Sequence, residues 1–452
     1  LAAFAAAALL SATVGAPLAA QSPTGDDLDR HEVRIAARDG IKLYTVVVAP
    51  KTPSKALPIM LVRTPYGVAQ NLRPGPIPTA YAELAKDGYT FVFQDARGTG
   101  RSEGRFIMNG AMHDPVKEPN GVDEATDTYD TIDWLVKNIP SNNGRVGVMG
   151  VSYPGWLAGV AALSNHPALK AVSPQAPMTD TWMGDDFFHQ GAFRQSFGVE
   201  YATAMEWSRQ VPSPLKITRY DRYDWYLQFL TLKELGAKNG IDTLASWRGF
   251  KTHPAWDGYW QAKAMQKVWT KPNVAVLNVG GYWDQEDVFG PQEAYRTLEK
   301  ADTLRRWNHI VLGPWFHGGW AGREIDSFGP MKFGSDVGLY YRANIERPWF
   351  FNYLHGDGTA TFKEAYLFEV QGNTWRTFDA WPPREAKPSK LYLLADGTLS
   401  FDAPKATGKT SYTSDPRHPV PYIARLTEQV MGIEMRIIDS NVGRVVMDAH
   451  RV

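Results

Sequence analysis

The chain has 452 residues with 48 basic and 48 acidic side chains, so its overall charge does not indicate nucleic acid or an anionic membrane as a partner. It contains no cysteine, which excludes disulfides, a thiolate nucleophile and cysteine-based metal sites. A chain of this length can form about two or three domains with a substantial core.

The first segment, residues 1–20, is an apolar, alanine-rich run that ends in small residues before the polar sequence QSPTGDD. This pattern is typical of the hydrophobic core and cleavage region of a secretory signal peptide, and a buried alanine-rich helix is the alternative. No later stretch reaches the ~20 apolar residues that span a bilayer. We therefore expect an exported protein, periplasmic or secreted, that does not act at a membrane.

Short apolar runs alternate with helical patterns from Pro58 to Phe316. Between them, the segment DEATDTYDTIDWLVKN has apolar residues at helical spacing. Near-continuous apolar runs suit strands that are buried on both faces, and their alternation with helices predicts an α/β fold with a parallel sheet. The runs with the length and composition of strands are LPIMLVRTPYG, YTFVFQDARG, GRVGVMGVS, LKAVSPQAP, NVAVLNVGGYWD and HIVLGPWFHG.

Two later regions break this alternation. Residues 179–271 hold seven of the 16 tryptophans and little strand pattern, which predicts a helical cap inserted over the carboxyl edge of the sheet. Beyond Arg347, YLFEVQGNTWRTF and LYLLADGTLSF have the pattern of β-hairpins with Q-G-N and D-G turns. The sequence thus predicts an α/β domain over 21–350 and a β module over 351–452.

The stretch VGVMGVSYPGW places Ser152 between a predicted strand and a predicted helix. Gly150 and Gly155 would permit the sharp turn of a nucleophile elbow, although the second glycine follows the serine by three positions rather than two. The motif alone does not distinguish a nucleophile from a serine in a small-residue loop.

A catalytic triad on this fold needs an acid and a histidine at later strand ends, in that order. Asp284 closes NVAVLNVGGYWD, and His317 closes HIVLGPWFH. The other histidines of the chain do not end a predicted strand, although a single histidine is often only a hydrogen-bonded loop residue. The order and placement predict Ser152, Asp284 and His317 as a triad.

Two donors would be needed for an oxyanion hole. The first is the backbone N–H of Tyr153, which follows the candidate nucleophile. The segment LVRTPYG places Tyr66 at the end of an early strand, where its phenol O–H could serve as the second donor. A turn tyrosine packed against Pro65 is the alternative.

Six motifs between Val33 and Pro421 resemble the α-amino acid ester hydrolases, whose relatives include bacterial cocaine esterase, X-Pro dipeptidyl peptidases and glutaryl acylases. They are RTPYG, QDARGTGRSEG, GVSYPGW, GDDFFHQGAF, WDQED and GPWFHGG. The resemblance implies an α/β-hydrolase domain, a helical cap, a C-terminal jelly roll and a homo-oligomer. It also implies the roles of the candidate site residues, with Ser152, Asp284 and His317 as the triad and Tyr66 and Tyr153 as the oxyanion donors.

Three carboxylates, Asp284, Glu286 and Asp287, lie within four positions of one loop. The resemblance implies that Asp186, Glu286 and Asp287 form a cluster that binds the α-ammonium of the substrate. Solvated loop acids are one alternative, and a Ca²⁺ site made by Asp284, Glu286 and Asp287 is another. We expect no metal and no cofactor.

The predicted function is that of a serine hydrolase that cleaves or transfers the acyl group of α-amino acid esters and β-lactam amides. An esterase or X-Pro-type peptidase without α-amine preference is one alternative, and a non-catalytic secreted binding protein is another. The sequence after about Leu426 does not match the family pattern, so we expect a partial jelly roll.

Overall fold

The computed structural model describes residues 27–417 apart from 73–76, 114–116, 119, 209–210, 220–224, 285, 323, 329–330, 406–407, 410, 412, 414 and 416. The predicted signal peptide at 1–20 and the unmatched C-terminal tail lie outside these residues. No helix among them is long and apolar enough to cross a bilayer.

Most of the strands form one large sheet, and the others form short hairpins. In chain order the strands are β1 Leu28–Ala36, β2 Lys42–Pro50, β3 Leu57–Thr64, β4 Thr90–Asp95, β5 Asn142–Val151, β6 Leu169–Gln175, β7 Phe188–His189, β8 Ala192–Phe193, β9 Ala275–Gly281, β10 Asn308–Gly313, β11 Ser327–Phe328, β12 Met331–Lys332, β13 Ala365–Glu369, β14 Thr374–Phe378, β15 Tyr392–Leu393 and β16 Leu399–Ser400.

Within the described residues the large sheet has ten strands in the order β1-β2-β4-β3-β5-β6-β9-β10-β13-β14. The strands from β4 to β13 in this order are parallel, and they include all six strands predicted from the sequence. Alternate residues of β3 explain the apolar runs: Ile59 and Leu61 pack into the core on one face, Met60 and Val62 into the core on the other. The antiparallel hairpin β1–β2 at one edge was not predicted.

The helices cover both faces of the sheet and form the cap. They are α1 Val68–Asn71, α2 Ala82–Ala85, α3 Glu124–Asn138, α4 Tyr153–Leu163, α5 Gln195–Glu206, α6 Leu232–Asn239, α7 Ala245–Thr252, α8 Gly258–Gln261, α9 Met265–Val268, α10 Phe289–Glu299, α11 Val337–Tyr341 and α12 Arg347–Leu354. A 3₁₀ turn spans Thr79–Tyr81, and a π-helical turn, Arg342–Glu346, joins α11 to α12.

The predicted helix between β4 and β5 is α3, which begins at a capping box. The Asp123 side chain accepts a hydrogen bond from the N–H of Thr126 at 2.8 Å, and the Thr126 hydroxyl oxygen accepts one from the N–H of Asp123 at 2.9 Å. Such reciprocal bonds satisfy amides that the helix itself leaves without partners. Ile132 and Leu135 then face the core.

The segment predicted as a cap contains the helices α5 to α9, inserted between β6 and β9. It also contains the short hairpin β7–β8, which the sequence did not indicate. Most of its tryptophans pack inward: Trp225, Trp247, Trp260 and Trp269 are all buried in the core that the cap shares with α4. They therefore stabilise the cap rather than line an open pocket.

The sequence placed the β module from residue 351 onward, but the first hairpin after this point joins the large sheet. Strand β13 pairs in parallel with β10, and β14 pairs with β13. Strand β10 would otherwise be an exposed edge with unpaired backbone groups, and β13 covers it. The second predicted hairpin, β15–β16, forms separately, and the rest of the predicted jelly roll lies outside the described residues.

Candidate active site

Ser152 stands at the turn between β5 and α4 with φ 69° and ψ −131°. A non-glycine residue with positive φ is strained, and such strain is common where a side chain is presented for chemistry. Gly150 and Gly155 make the turn possible, because a Cβ on Gly150 would lie 2.5 Å from Cβ of Pro154 and one on Gly155 would collide with the carbonyl oxygen of Gln175. The elbow predicted from the unusual spacing is therefore present.

Tyr66 reaches this turn from the loop after β3. Its hydroxyl hydrogen-bonds to Ser152 and lies 3.1 Å from the hydroxyl of Tyr201 on α5. Burial raises the pKa of Tyr66 well above its ordinary value, so the phenol keeps its proton at neutral pH. The structure thus holds a neutral O–H donor beside Ser152, as an oxyanion hole requires.

The second predicted donor is the backbone N–H of Tyr153, the first residue of α4. The first amides of a helix have no acceptor within that helix and point out of its N-terminus. The ring of Tyr153 lies in the core, where its hydroxyl accepts a hydrogen bond from the N–H of Asn109 at 2.9 Å. Only the backbone of Tyr153 is thus in a position to meet a substrate.

His317 and Asp284 form a close pair at the ends of β10 and β9. Nδ1 of His317 lies 2.8 Å from Oδ2 of Asp284, and the other Asp284 oxygen accepts the N–H groups of Glu286 and Asp287, each at 3.0 Å. The turn after the histidine packs on the nucleophile strand, since a Cβ on Gly318 would lie 3.5 Å from Val151. The three predicted triad residues therefore meet at one edge of the sheet.

The other ring nitrogen of His317 lies close to a further carboxylate. Its Nε2 is 3.3 Å from Oε2 of Glu286. In a serine triad this nitrogen takes the proton of the nucleophile. Glu286, predicted to contact a substrate cation, is thus also a neighbour of the predicted base.

Asp186, Glu286 and Asp287 form the carboxylate cluster that was predicted, and all three are buried. The N–H of Asp186 donates to the carbonyl oxygen of Glu286 at 3.0 Å, which joins the cap loop to the loop after β9. Asp186 has φ 51°, so the backbone is strained where it presents this carboxylate. Solvated loop acids, the alternative, do not fit this burial.

Burial sets the ionisation of the cluster. It raises the pKa of Asp186 to about 6, against the lowering effects of a hydrogen bond from Asp287 and of the charges on Arg194 and His317. Burial also raises the pKa of Asp287 well above its usual value, and the neighbouring carboxylates add to this effect. Asp287 therefore holds a proton that it donates to Asp186. Neither oxygen of Asp287 accepts a hydrogen bond from a described protein group.

Sequence reasoning missed three residues here, of which Arg194 and Asp185 are buried and Tyr201 is partly buried. The guanidinium of Arg194 donates to the backbone carbonyl of Asp186 at 2.7 Å and lies over the ring of Phe197. The carboxylate of Asp185 accepts the N–H of Gly290 at 2.8 Å and braces the same loop. All three residues are in the cap or at its base. Asp185 stands in the motif GDDFFHQGAF without an assigned role, and Arg194 and Tyr201 lie outside the quoted motifs.

The described residues contain one group of side chains with metal-ligand geometry, and it belongs to this cluster. Ligand atoms of Glu286, Asp287 and His317 all lie within 4.8 Å of one another. Asp284, which the Ca²⁺ alternative required, is instead bonded to His317 and to backbone amides. A protonated amine would satisfy the same carboxylates, and oxygen-rich Ca²⁺ sites need more ligands than these.

A cavity of about 380 Å³ opens beside the nucleophile turn. Its walls are mainly apolar, and its polar end holds the buried carboxyl of Glu346, which accepts hydrogen bonds from Gln175 at 2.8 Å and Tyr341 at 3.0 Å. Burial raises the pKa of Glu346 to about 7. The side chains nearest to the elbow that line this cavity are Tyr66, Val151 and Pro154.

Comparison with known proteins gives one family and several relatives. The profile of the X-Pro dipeptidyl-peptidase (S15) family matches residues 39–319. The chain is 26% identical to cocaine esterase from Rhodococcus sp. (strain MB1 Bresler) over 86% of this chain and 68% of that protein.

Two solved structures are similar over nearly the whole chain. An aminopeptidase from the marine sediment archaeon Thaumarchaeota archaeon has a TM-score of 0.84 and 37% identity, covering 93% of this chain and 69% of that one. A selenomethionine-labelled α-amino acid ester hydrolase has a TM-score of 0.82 and 33% identity, covering 96% of this chain and 72% of that one. The chain thus spans about two thirds of the length of these relatives.

Proposed function

The chain belongs to the X-Pro dipeptidyl-peptidase (S15) family of serine hydrolases, and on this basis we propose that it cleaves or transfers the acyl group of α-amino acid esters. Ser152 would form the acyl-enzyme. The preferred substrates would carry a free α-amine, and β-lactam amides of such acids would be included.

The buried carboxylate cluster carries this proposal. It presents Asp186, Glu286 and Asp287 beside the predicted triad, with a carboxylate oxygen that no described protein donor satisfies. Buried carboxyl groups this close raise each other's pKa, and a bound cation relieves the cost of ionising them. The α-ammonium of an amino acid ester lies one carbon from the attacked carbonyl, so binding it would also orient that carbonyl toward Ser152.

The proposed reaction uses the site as follows. Neutral His317 takes the proton of Ser152 as the serine oxygen attacks the ester carbonyl, while Asp284 orients the ring through Nδ1. The Tyr66 hydroxyl and the Tyr153 N–H stabilise the oxyanion. The imidazolium then protonates the departing alcohol. Water, or the amine of an acyl acceptor, attacks the acyl-enzyme in the second half of the reaction.

An aminopeptidase activity is a second candidate, and the same cluster supports it. The N-terminus of a peptide is an α-ammonium in the same position as that of an amino ester, and one relative with 37% identity is described as an aminopeptidase. An esterase without α-amine preference, or a binding protein without catalysis, would not need three buried carboxylates at this point. The cavity beside Tyr66 is proposed to hold the part of the substrate that does not reach the cluster.

The test compares phenylglycine methyl ester with its des-amino analogue, phenylacetic acid methyl ester. Wild type should have the higher kcat/KM for the amino ester. Asp186→Asn should raise KM for the amino ester far more than for the analogue, since a close ion pair contributes ~1–4 kcal/mol. Asp133→Asn, which changes a partly exposed acid paired with Lys137 on α3, is the control and should alter neither. Equal losses for both esters in Asp186→Asn would remove the amino ester assignment.

We also propose export, on the strength of the apolar segment at 1–20, and a homo-oligomer, on the strength of the family resemblance. Fractionation of the native host and the solution mass of the purified protein would test these two proposals.

A further inference from the structure

The imidazole of His317 lies between carboxyl groups on both sides. Nδ1 is 2.8 Å from Asp284 and 3.8 Å from Asp287, and Nε2 is 3.3 Å from Glu286. The side chains of both aspartates are fully buried, and that of Glu286 is 8% exposed. The negative charges of Asp284 and Glu286, this close and with little water between them and the ring, favour the protonated ring.

A protonated ring cannot act as the base. General base catalysis requires a lone pair on Nε2 toward the Ser152 hydroxyl. The 3.3 Å separation between Nε2 of His317 and Oε2 of Glu286 suits an ion pair between a protonated ring and this carboxylate. Glu286 and Ser152 therefore compete for the same nitrogen of His317.

The other charged groups around the ring leave Glu286 as the one that can respond to a ligand. Asp284 is held by two backbone amides as well as by Nδ1. Asp287 keeps a proton and shares it with Asp186. Arg194, a buried cation in the cap, donates to the Asp186 carbonyl.

We propose that Glu286 gates the base. Glu286 holds His317 protonated until the α-ammonium of the substrate binds Glu286 and replaces the imidazolium as its partner. This inference rests on the proposed function, because it requires an amine-bearing substrate. The ammonium neutralises Glu286 and repels the imidazolium. The ring then loses its Nε2 proton to solvent, keeps the Nδ1–H donated to Asp284, and presents its lone pair to Ser152.

The gate would make selectivity a matter of rate as well as of binding. A substrate without a cation would bind but leave His317 protonated over much of the neutral range. Amino esters would switch on the base by binding. A static ammonium site would change only KM, whereas a gate also moves the pH at which the bound enzyme becomes active.

The first experiment measures pH–rate profiles on the purified protein. The acidic limb of kcat/KM reports the free enzyme, and that of kcat reports the enzyme–substrate complex. With phenylglycine methyl ester, wild type should show the kcat limb about one pH unit or more below the kcat/KM limb. In Glu286→Gln the kcat/KM limb should move to lower pH, so that phenylacetic acid methyl ester is hydrolysed faster than by wild type at pH 6. Glu324→Gln, at an exposed glutamate on the loop after His317, is the matched control and should behave as wild type.

A second experiment needs no variant, in case Glu286→Gln does not fold. Methylammonium added to wild type should accelerate hydrolysis of the des-amino ester at pH 6, in a saturable manner. Coincident limbs in wild type, or no activation by methylammonium in an enzyme that still prefers amino esters, would overturn the gate alone. Absence of any amino ester preference would instead overturn the proposed function.

Discussion

The hydroxyl groups of Tyr66 and Tyr201 lie 3.1 Å apart, one after β3 and the other on the cap helix α5. Tyr66 also hydrogen-bonds to Ser152, so the cap is linked to the predicted nucleophile through this one phenol. Hydrogen bonds in series polarise one another, and an O–H from Tyr201 to Tyr66 would make Tyr66 a better donor. The cap therefore contributes to the predicted oxyanion hole through Tyr201.

Tyr66→Phe should lower kcat by a factor on the order of 10²–10³, the usual effect of losing one oxyanion donor. The ring would still fill its site, so the melting temperature should change little. Steady-state kinetics with phenylglycine methyl ester, together with a thermal melt, would measure both. Full kcat in Tyr66→Phe would make this tyrosine purely structural.

Tyr201→Phe should lower kcat by roughly fivefold, because one net hydrogen bond contributes about 1 kcal/mol. The effect should vanish in a Tyr66→Phe background, since Tyr201 is expected to act only through Tyr66. Tyr226→Phe removes another cap hydroxyl, which contacts Glu200 and Ser196 instead, and serves as the control. A loss that persists in the double variant would assign Tyr201 a separate role.

Ser152→Ala should abolish the acyl-enzyme and reduce kcat by several orders of magnitude, leaving the residual rate due to the oxyanion hole and binding. A serine-directed phosphonate should label Ser152 in wild type, as a peptide-level mass measurement would show. Labelling of another serine, with Ser152→Ala still active, would disprove the elbow assignment.

Asp287→Asn should stabilise the protein at pH 8 and much less at pH 4.5. The pKa of Asp287 is raised in the folded state, so this group is protonated on folding and costs stability as the pH rises above its unfolded value. The amide keeps a donor toward Asp186 and never ionises. Melting temperatures at the two pH values would show the difference, with Asp133→Asn, at a partly exposed acid, as the reference. A lower melting temperature at pH 8 would mean that a ligand or partner neutralises Asp287.

Gly155→Ala should destabilise the fold and remove activity. Gly155 lies at the start of α4, and a Cβ on it would collide with the carbonyl oxygen of Gln175 at the end of β6. Overpacking of this kind costs about 1–3 kcal/mol or more. Gly258→Ala is the matched control, because a Cβ there meets no atom within 4 Å. Denaturant melts of both variants would compare them. Equal stability would indicate that α4 can shift away from β6.

Much of the site follows from the chain order of the strands. The carboxyl ends of parallel strands meet at one edge of a sheet, so Ser152 after β5, Asp284 after β9 and His317 after β10 had to lie near each other once the strands were identified. The local patterns that predict these strands are strong because both faces of each strand are buried.

The contacts that the sequence did not predict depend on packing between distant segments. Tyr201 meets Tyr66 across 135 positions of the chain. Glu286, predicted to contact a substrate cation, also contacts His317, and this contact depends on the conformation of one loop. The place of β13 beside β10 depends on which edge of the sheet is open, and a hairpin pattern contains no information about its partner.

Ser152 and Asp186 both hold backbone conformations that glycine adopts more easily, with φ of 69° and 51°. Each such residue costs about 1–3 kcal/mol of stability. Selection for heat resistance alone would therefore favour glycine at both positions, and selection for turnover would restore the hydroxyl and the carboxylate. Laboratory evolution of this enzyme should meet that conflict at these two positions, so heat-resistant variants obtained without an activity screen are expected to have lost their chemistry there first.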